Sequence, residues 1–174
     1  DKLFNLQDGK RLRLGDVLRL AKLTVSGDGG NRLNFNLMGD PAIMPTYPDY
    51  KVVVDEFDGP PSDELPFMRA GAKVTVKGHI LTPNGKPADD FTGTVHPLVY
   101  DSKETISTLN TLDKGAVTYT DHNKILFSGM DSVRNGRFEL TFPVPLDINY
   151  SNEQGLLNLY ACDADKREAG GVFD

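Results

Sequence analysis

Short β-like runs separated by turn-forming residues fill the sequence from residue 50 onward, and this pattern constrains the fold most. Within the runs at 73–81 and 137–142, apolar and polar residues alternate with the period of a strand that has one covered face. Asn-Gly pairs at 84–85 and 135–136 indicate tight turns, because both residue types tolerate positive φ. The chain is predicted to be mainly β, an immunoglobulin-like antiparallel β-sandwich of about seven strands. Those strands are predicted at residues 50–57, 73–81, 93–100, 115–120, 125–128, 137–142 and 155–162.

The first 47 residues follow a different pattern and are predicted to form a separate unit. Apolar residues recur with the spacing of one helical face, which predicts a helix over 13–25. After a Gly-rich stretch, alternation at Leu33, Phe35 and Leu37 predicts a strand. Three prolines then forbid regular helix, so residues 42–48 are predicted to be an extended linker. The predicted domains are therefore 1–47, a helix and strand too small to bury their own faces, and 48–174, the sandwich.

Charge and hydropathy exclude several kinds of partner. The chain carries 19 Lys and Arg against 25 Asp and Glu, a net charge of −6, and the basic residues are scattered. Neither nucleic acid nor an anionic membrane surface is expected to bind such a chain. No apolar run approaches the roughly 20 residues of a membrane helix, so no membrane insertion is expected. Because the chain begins at Asp1 rather than Met, we expect a secretion signal or an upstream domain before it.

The one cysteine and the three histidines are the candidates for a catalytic or metal site. Cys162 as a nucleophile would need a base, for which His79, His96 and His122 are the candidates. Cys162 ends a strand pattern, however, and a free cysteine there is typically a small packed side chain. The histidines also lack the paired short spacing of a zinc site. We therefore predict no catalytic residue, no cofactor and no metal ligand.

Acidic residues give two further alternatives. Five loop aspartates could hold calcium through clustered oxygens, but the Asp-x-Asp-x-Asp-Gly loop is missing, so turn formation and solvated charge are favoured. These residues are Asp121, Asp131, Asp147, Asp163 and Asp165. Acidic runs at 55–58 and 62–64 could dock a basic partner, although a solvated loop that limits aggregation is favoured. With no Trp, carbohydrate binding has little support, and Tyr47 and Tyr50 are the aromatic residues that could contribute to it.

Several stretches resemble one known family along nearly the whole chain. Residues 34–42 (NFNLMGDPA) resemble the end of gingipain-like cysteine peptidase domains, and residues 14–22 ahead of them resemble the last helix of such a domain. Residues 74–80, 90–95 and 99–101 resemble the immunoglobulin-like domain that follows the peptidase in the type IX secretion system sortase PorU family. Residues 125–129, 135–138 and 144–150 agree with the same family.

The resemblance implies a fold and a function. In that family a caspase-like α/β domain with a Cys and His dyad processes cargo of the type IX secretion system at the cell surface. The first 78 residues here contain neither Cys nor His, so the dyad is expected upstream of the matched part. Residues 170–174 resemble the start of a strand, and the family's chain continues beyond them. The resemblance implies that the chain's parent is a gingipain-like cysteine peptidase and that this chain lacks its catalytic Cys and His dyad.

Two functions follow for the chain itself. The first is a non-catalytic, exported C-terminal fragment of a gingipain-like sortase, on the outer membrane exterior of a Gram-negative bacterium. Its expected partners are the upstream peptidase domain and secretion-system components. The second is a free-standing secreted adhesin or binding module with no peptidase.

Overall fold

The structure, a computed structural model, describes residues 11–24, 35–45, 47–58, 68–110, 115–149 and 153–173. The chain divides into two compact units, Asp1–Tyr47 and Pro48–Asp174. Among the described residues, no helix has the length and apolar character needed to cross a membrane.

Over the residues of the first unit that the structure describes, there is one helix, α1, at Leu14–Thr24. Asp16 in its first turn and Lys22 in its last turn suit the helix dipole. The turn around Asp40 packs on the start of the helix, since the amides of Leu14 and Gly15 donate to the carbonyls of Ile43 and Pro41 at 2.9 and 3.0 Å. The predicted helix is therefore confirmed over 14–24, and Val25 lies outside the described residues.

The strand predicted from Leu33, Phe35 and Leu37 is wrong over its described part. Residues 35–38 have no strand hydrogen bonding, and Leu33 lies outside the described residues. Phe35, which was expected on a covered face, is 66% exposed. A strand exists only when a neighbour accepts and donates its backbone hydrogen bonds, and alternation alone does not supply that neighbour.

Ten strands lie in the described part of the second unit. They are β1 Tyr50–Asp58, β2 Lys73–Leu81, β3 Gly93–Tyr100, β4 Glu104–Ser107, β5 Thr118–Asp121, β6 Ile125–Ser128, β7 Asp131–Val133, β8 Arg137–Pro143, β9 Leu156–Asp163 and β10 Glu168–Phe173. All seven predicted runs overlap a strand, and the mainly β class is confirmed. Strands β4 and β7 lie outside the predicted runs, and β10 overlaps residues 170–174, which were expected to begin a strand.

Eight strands form one continuous sheet in the order β6-β3-β9-β10-β1-β2-β8, with β7 also paired to β3. The sheet nearly closes on itself, because β7 pairs with β3 on one side and is joined to β8 by a tight turn on the other. Strand β1 pairs antiparallel with β2 but parallel with β10, through Tyr50↔Ala169 and Lys51↔Gly170. That parallel pair departs from the predicted antiparallel sheet. Strands β4 and β5 form a separate two-stranded sheet.

The core of this unit lies along the inner faces of β2, β3, β8 and β9, where buried and exposed residues alternate strictly along β8. Phe91, Phe142, Ile80 and Leu159 are the largest side chains that are fully buried. Each such side chain contributes about 1.5–3 kcal/mol of hydrophobic stabilisation. This core fixes the positions of the outward-facing residues between the buried ones.

A charged groove as the candidate functional site

The outer face of β1, β2 and β8 carries a groove with a volume of about 820 Å³. Its lining contains acidic residues Asp55, Glu56, Asp89 and Glu139, and basic residues Lys77, His79, Arg134 and Arg137. These side chains face outward because their neighbours along each strand, such as Val76, Ile80 and Phe138, are buried. The groove therefore combines both signs of charge on one rigid sheet face.

A β-bulge in β1 brings two consecutive acidic residues to the groove. The register between β1 and β2 shifts between Val54 and Glu56, so Asp55 is the extra residue. Glu56 then accepts a hydrogen bond from Lys77 Nζ at 2.9 Å. Asp55 places its two carboxylate oxygens 2.9 and 2.8 Å from His79 Nδ1. The acidic run predicted as a possible docking surface is thus paired within the chain at 55 and 56, and residues 62–64 lie outside the described residues.

The Asp55–His79 pair has the geometry of a carboxylate that orients an imidazole. Nucleophilic catalysis also requires a hydroxyl or thiol in hydrogen-bond contact with the other ring nitrogen. Among the described residues, the side-chain hydrogen bonds of His79 go to Asp55 alone. The pair therefore contributes a hydrogen-bonded carboxylate and imidazole to the groove.

Arg134 and Arg137 occupy the turn end of the groove. They face each other across the β7–β8 turn, where each amide donates to the other's carbonyl at 2.9 Å. Asn135 and Gly136 have φ of 51° and 69°, as the Asn-Gly pair predicts for a two-residue hairpin turn. A Cβ atom at Gly136 would lie 2.4 Å from the carbonyl oxygen of Ala88. The turn thus accommodates only glycine at this position and holds both arginines in place.

Cys162 lies on the outer face of a different part of the sheet. Its Sγ is 3.6 Å from Thr94 Oγ1, which in turn is 3.2 Å from His96 Nε2. His79 belongs to the groove, and the His122 ring contacts the backbone carbonyl of Asp101 at 2.7 Å. The structure therefore separates the three histidines, and a threonine hydroxyl stands between Cys162 and the nearest of them.

The five loop aspartates considered for calcium are also dispersed. Asp121 and Asp131 each accept a hydrogen bond from the next residue's amide. Asp147 pairs with Lys124 at 3.2 Å, and Asp163 pairs with Arg167. Within the ranges that the structure describes, no group of three or more His, Cys, Asp or Glu residues is arranged to hold a metal ion.

Arg167, in the turn between β9 and β10, joins two carboxylates that sequence reasoning did not connect. It donates to Asp163 Oδ2 at 2.5 Å and to Asp90 Oδ2 at 2.6 Å. Its guanidinium also lies 5.8 Å from the ring centre of Tyr50 and 5.4 Å from that of Phe91. Tyr50, expected as a possible carbohydrate platform, thus packs against this arginine. Asp163 and Arg167 meet because the chain reverses between them and pairs β9 with β10.

The charges around Arg167 shift the ionisation of all three groups. The hydrogen bond from Arg167 is the main cause that lowers the pKa of Asp90. For Asp163, burial raises the pKa, but hydrogen bonds from the amide and guanidinium of Arg167 outweigh burial and leave the pKa below its usual value. Hydrogen bonds to Asp90 and Asp163 raise the pKa of Arg167. All three groups are therefore charged at neutral pH.

Comparison with known proteins relates the chain to a solved structure. No protein-family model matches the chain, and no curated protein matches it significantly. The crystal structure of dimeric latent PorU from Porphyromonas gingivalis shares 28% sequence identity over 98% of this chain, with a TM-score of 0.60. The chain is similar to a part of PorU. It spans 17% of that PorU chain. The sporulation control protein Spo0M from Bacillus subtilis aligns with 71% of this chain and 46% of its own at 13% identity, with a TM-score of 0.35.

The PorU similarity extends over both units of the chain, because the aligned part covers almost all of it. It therefore includes α1 as well as the β-rich unit. The sequence resemblance to the PorU family and the structural similarity to PorU agree on the same protein.

Proposed function

We propose that this chain is the non-catalytic C-terminal part of a PorU-type, gingipain-like cysteine peptidase that is exported to the cell surface. Its β-rich unit supports the peptidase and binds a protein partner, such as a component of the type IX secretion system. The observation that carries this proposal is the 28% identity to PorU over 98% of the chain.

Strand order supports an immunoglobulin-like β-sandwich for the second unit. In immunoglobulin constant-type domains, strands A, B and E belong to one sheet and strands C, F and G to the other. Here β1, β2 and β8 are consecutive neighbours, as are β3, β9 and β10. In chain order these strands correspond to A, B, E and to C, F, G. The parallel β1–β10 pair is what links the two groups into one sheet.

Exposed apolar side chains in the first unit support a place within a larger domain. No residue of α1 is buried, and Phe35, Met38 and Ile43 are 66, 97 and 52% exposed. Soluble domains seldom leave this much apolar surface uncovered in so short a segment. An upstream caspase-like domain would cover it, and that domain would contain the Cys and His dyad.

A hydrolysis assay tests the non-catalytic role. We expect the purified chain to leave a mixed peptide-substrate library uncleaved, and the Cys162→Ala variant to behave identically. Turnover by the wild-type chain that disappears in Cys162→Ala would contradict the proposal, because it would place a working nucleophile in this chain. A Met68→Ala variant controls for non-specific effects of a substitution, because Met68 is a partly buried residue that packs against the core.

A further inference from the structure

Arg134 and Arg137 form an unfavourable pair that the fold does not require. They stand directly opposite each other in an antiparallel bridge, and both side chains are exposed. Like charges in this position are destabilising by about 0.2–1 kcal/mol. Neither arginine forms a close ion pair with another described residue.

Elsewhere on the same sheet face, charged residues lie opposite residues of the other sign. Lys77 lies opposite Glu56 on one side and opposite Glu139 on the other, so its charge alternates with theirs across three strands. His79, opposite Arg137, is paired with Asp55. The two arginines are therefore a like-charge pair on a face where charges are otherwise matched. A bound anionic group would offset the repulsion between them.

The turn holds these arginines rigidly. Beyond the two hydrogen bonds across the turn, the amide of Ile80 donates to the carbonyl of Gly136 at 2.7 Å, and the amide of Gly136 donates to the carbonyl of Phe91 at 2.8 Å. Ile80 and Phe91 are fully buried. Because the turn is fixed to the core, binding a ligand here costs little ordering of the backbone.

The charges beside the arginines select the kind of ligand. Two guanidinium groups match carboxylates in planar, bidentate geometry. Asp89 and Glu139 line the same groove, and they would repel a densely charged polyanion while attracting basic groups. An extended peptide that carries both acidic and basic residues matches both signs of charge in the groove.

We propose that Arg134 and Arg137 bind carboxylate side chains of an extended segment of a protein partner, whose basic residues face Asp89 and Glu139. This inference rests on the proposed partner-binding role and names the chemistry of the partner. It does not depend on whether a peptidase lies upstream.

An NMR titration of the full chain with a short blocked peptide tests the proposal. The probe is Gly-Glu-Glu-Gly-Lys-Lys-Gly, and its counterpart carries Gln in place of Glu. We expect the first peptide, at millimolar concentration, to shift the backbone amides of β7 and β8, and the counterpart to bind roughly tenfold more weakly. The Arg134→Gln/Arg137→Gln variant is expected to lose the same roughly tenfold affinity and to melt no lower than the wild type.

A matched variant and two anionic probes complete the test. Lys73→Gln/Lys103→Gln removes two exposed cations outside the groove and is expected to leave peptide affinity unchanged. The proposal is overturned if the Gln counterpart binds equally well, or if the arginine variant retains full affinity. Shifts of the same amides by inorganic phosphate or dextran sulfate, with none by the Glu peptide, would overturn it in favour of a non-peptide anion. None of these results depends on hydrolysis, so this inference and the non-catalytic role fail separately.

Discussion

Arg167 donates a hydrogen bond from Nε to Oδ2 of Asp163 at 2.5 Å, across the turn between β9 and β10. The Asp163 side chain is only 2% exposed, whereas that of Asp90, the second carboxylate on this arginine, is 75% exposed. The same guanidinium therefore anchors a buried charge on one side and a solvated charge on the other. This difference in exposure predicts which substitutions lower the free energy of unfolding.

Replacing Arg167 with Met is expected to destabilise the chain by about 3 kcal/mol, because it removes the guanidinium that neutralises the buried Asp163 carboxylate. The measurement is the free energy of unfolding from urea denaturation. Asp90→Asn is expected to cost much less, since water already surrounds that carboxylate. Equal losses in the two variants would contradict this account. Arg134→Met is a matched control whose stability should equal or slightly exceed that of the wild type.

The lowered pKa values of Asp163 and Asp90 predict how the stability of the folded chain depends on pH. A carboxyl group whose pKa is lower in the folded state stabilises that state fully above its unfolded pKa of about 3.9. This stabilisation is lost as the pH falls through the folded pKa, when both states become protonated. We expect the urea midpoint of the wild type to fall steeply below about pH 4 and that of Arg167→Met to fall less. Parallel curves for the two proteins would show that Arg167 does not cause the shift.

Gly136→Ala and Gly85→Ala separate backbone strain from steric clash. Both glycines have positive φ, of 69° and 76°. An alanine Cβ at 85 meets nothing within 4 Å, whereas at 136 it lies 2.4 Å from the Ala88 carbonyl oxygen. Gly85→Ala is therefore expected to cost about 1 kcal/mol from strain alone. Gly136→Ala should cost clearly more, as measured by thermal unfolding, and similar losses would argue against the close contact.

Asp101 is a second buried carboxylate, and its role is structural. Its side chain accepts hydrogen bonds from the amides of Ser102 and Asn149, each at 2.8 Å. Asp101→Ala leaves a buried amide unpaired and is expected to cost about 2 kcal/mol in urea denaturation. Asp131→Ala is the control, because Asp131 caps an amide in the same way but is exposed. A loss in Asp131→Ala as large as in Asp101→Ala would mean that burial of the carboxylate is not the cause.

Local pattern was sufficient to predict the helix and the strands that contribute to the core. The boundaries of β2, β3 and β6 agree with the prediction because each is a run of alternating or apolar residues with turns on both sides. Strand β7 has only three residues, and β4 has a single large apolar residue, Ile106, so neither gives a periodic signal. In β10 two consecutive glycines interrupt the alternation of apolar and polar side chains, so the periodic signal of a strand is weak there.

The groove was less predictable because its pairs come from distant segments. The sequence drew attention to Asp55 and Glu56 as an acidic run, but their partners His79 and Lys77 lie 24 and 21 residues away. The bulge that turns both acids outward depends on the register with β2. Arg134 and Arg137 flank an Asn-Gly pair that predicts a hairpin, and a hairpin places them opposite each other. That like-charge pair was therefore present in the sequence as a consequence of the turn.

The most direct test of the proposed function is to locate the reactive cysteine in the native polypeptide that contains these residues. The polypeptide is treated with a peptidyl chloromethyl ketone, which alkylates an activated catalytic thiol, and the labelled peptide is identified by mass spectrometry. We predict a label on a cysteine upstream of Asp1, with Cys162 unlabelled in the folded protein. A label on Cys162 itself, or a native polypeptide with no reactive cysteine upstream, would contradict the proposal.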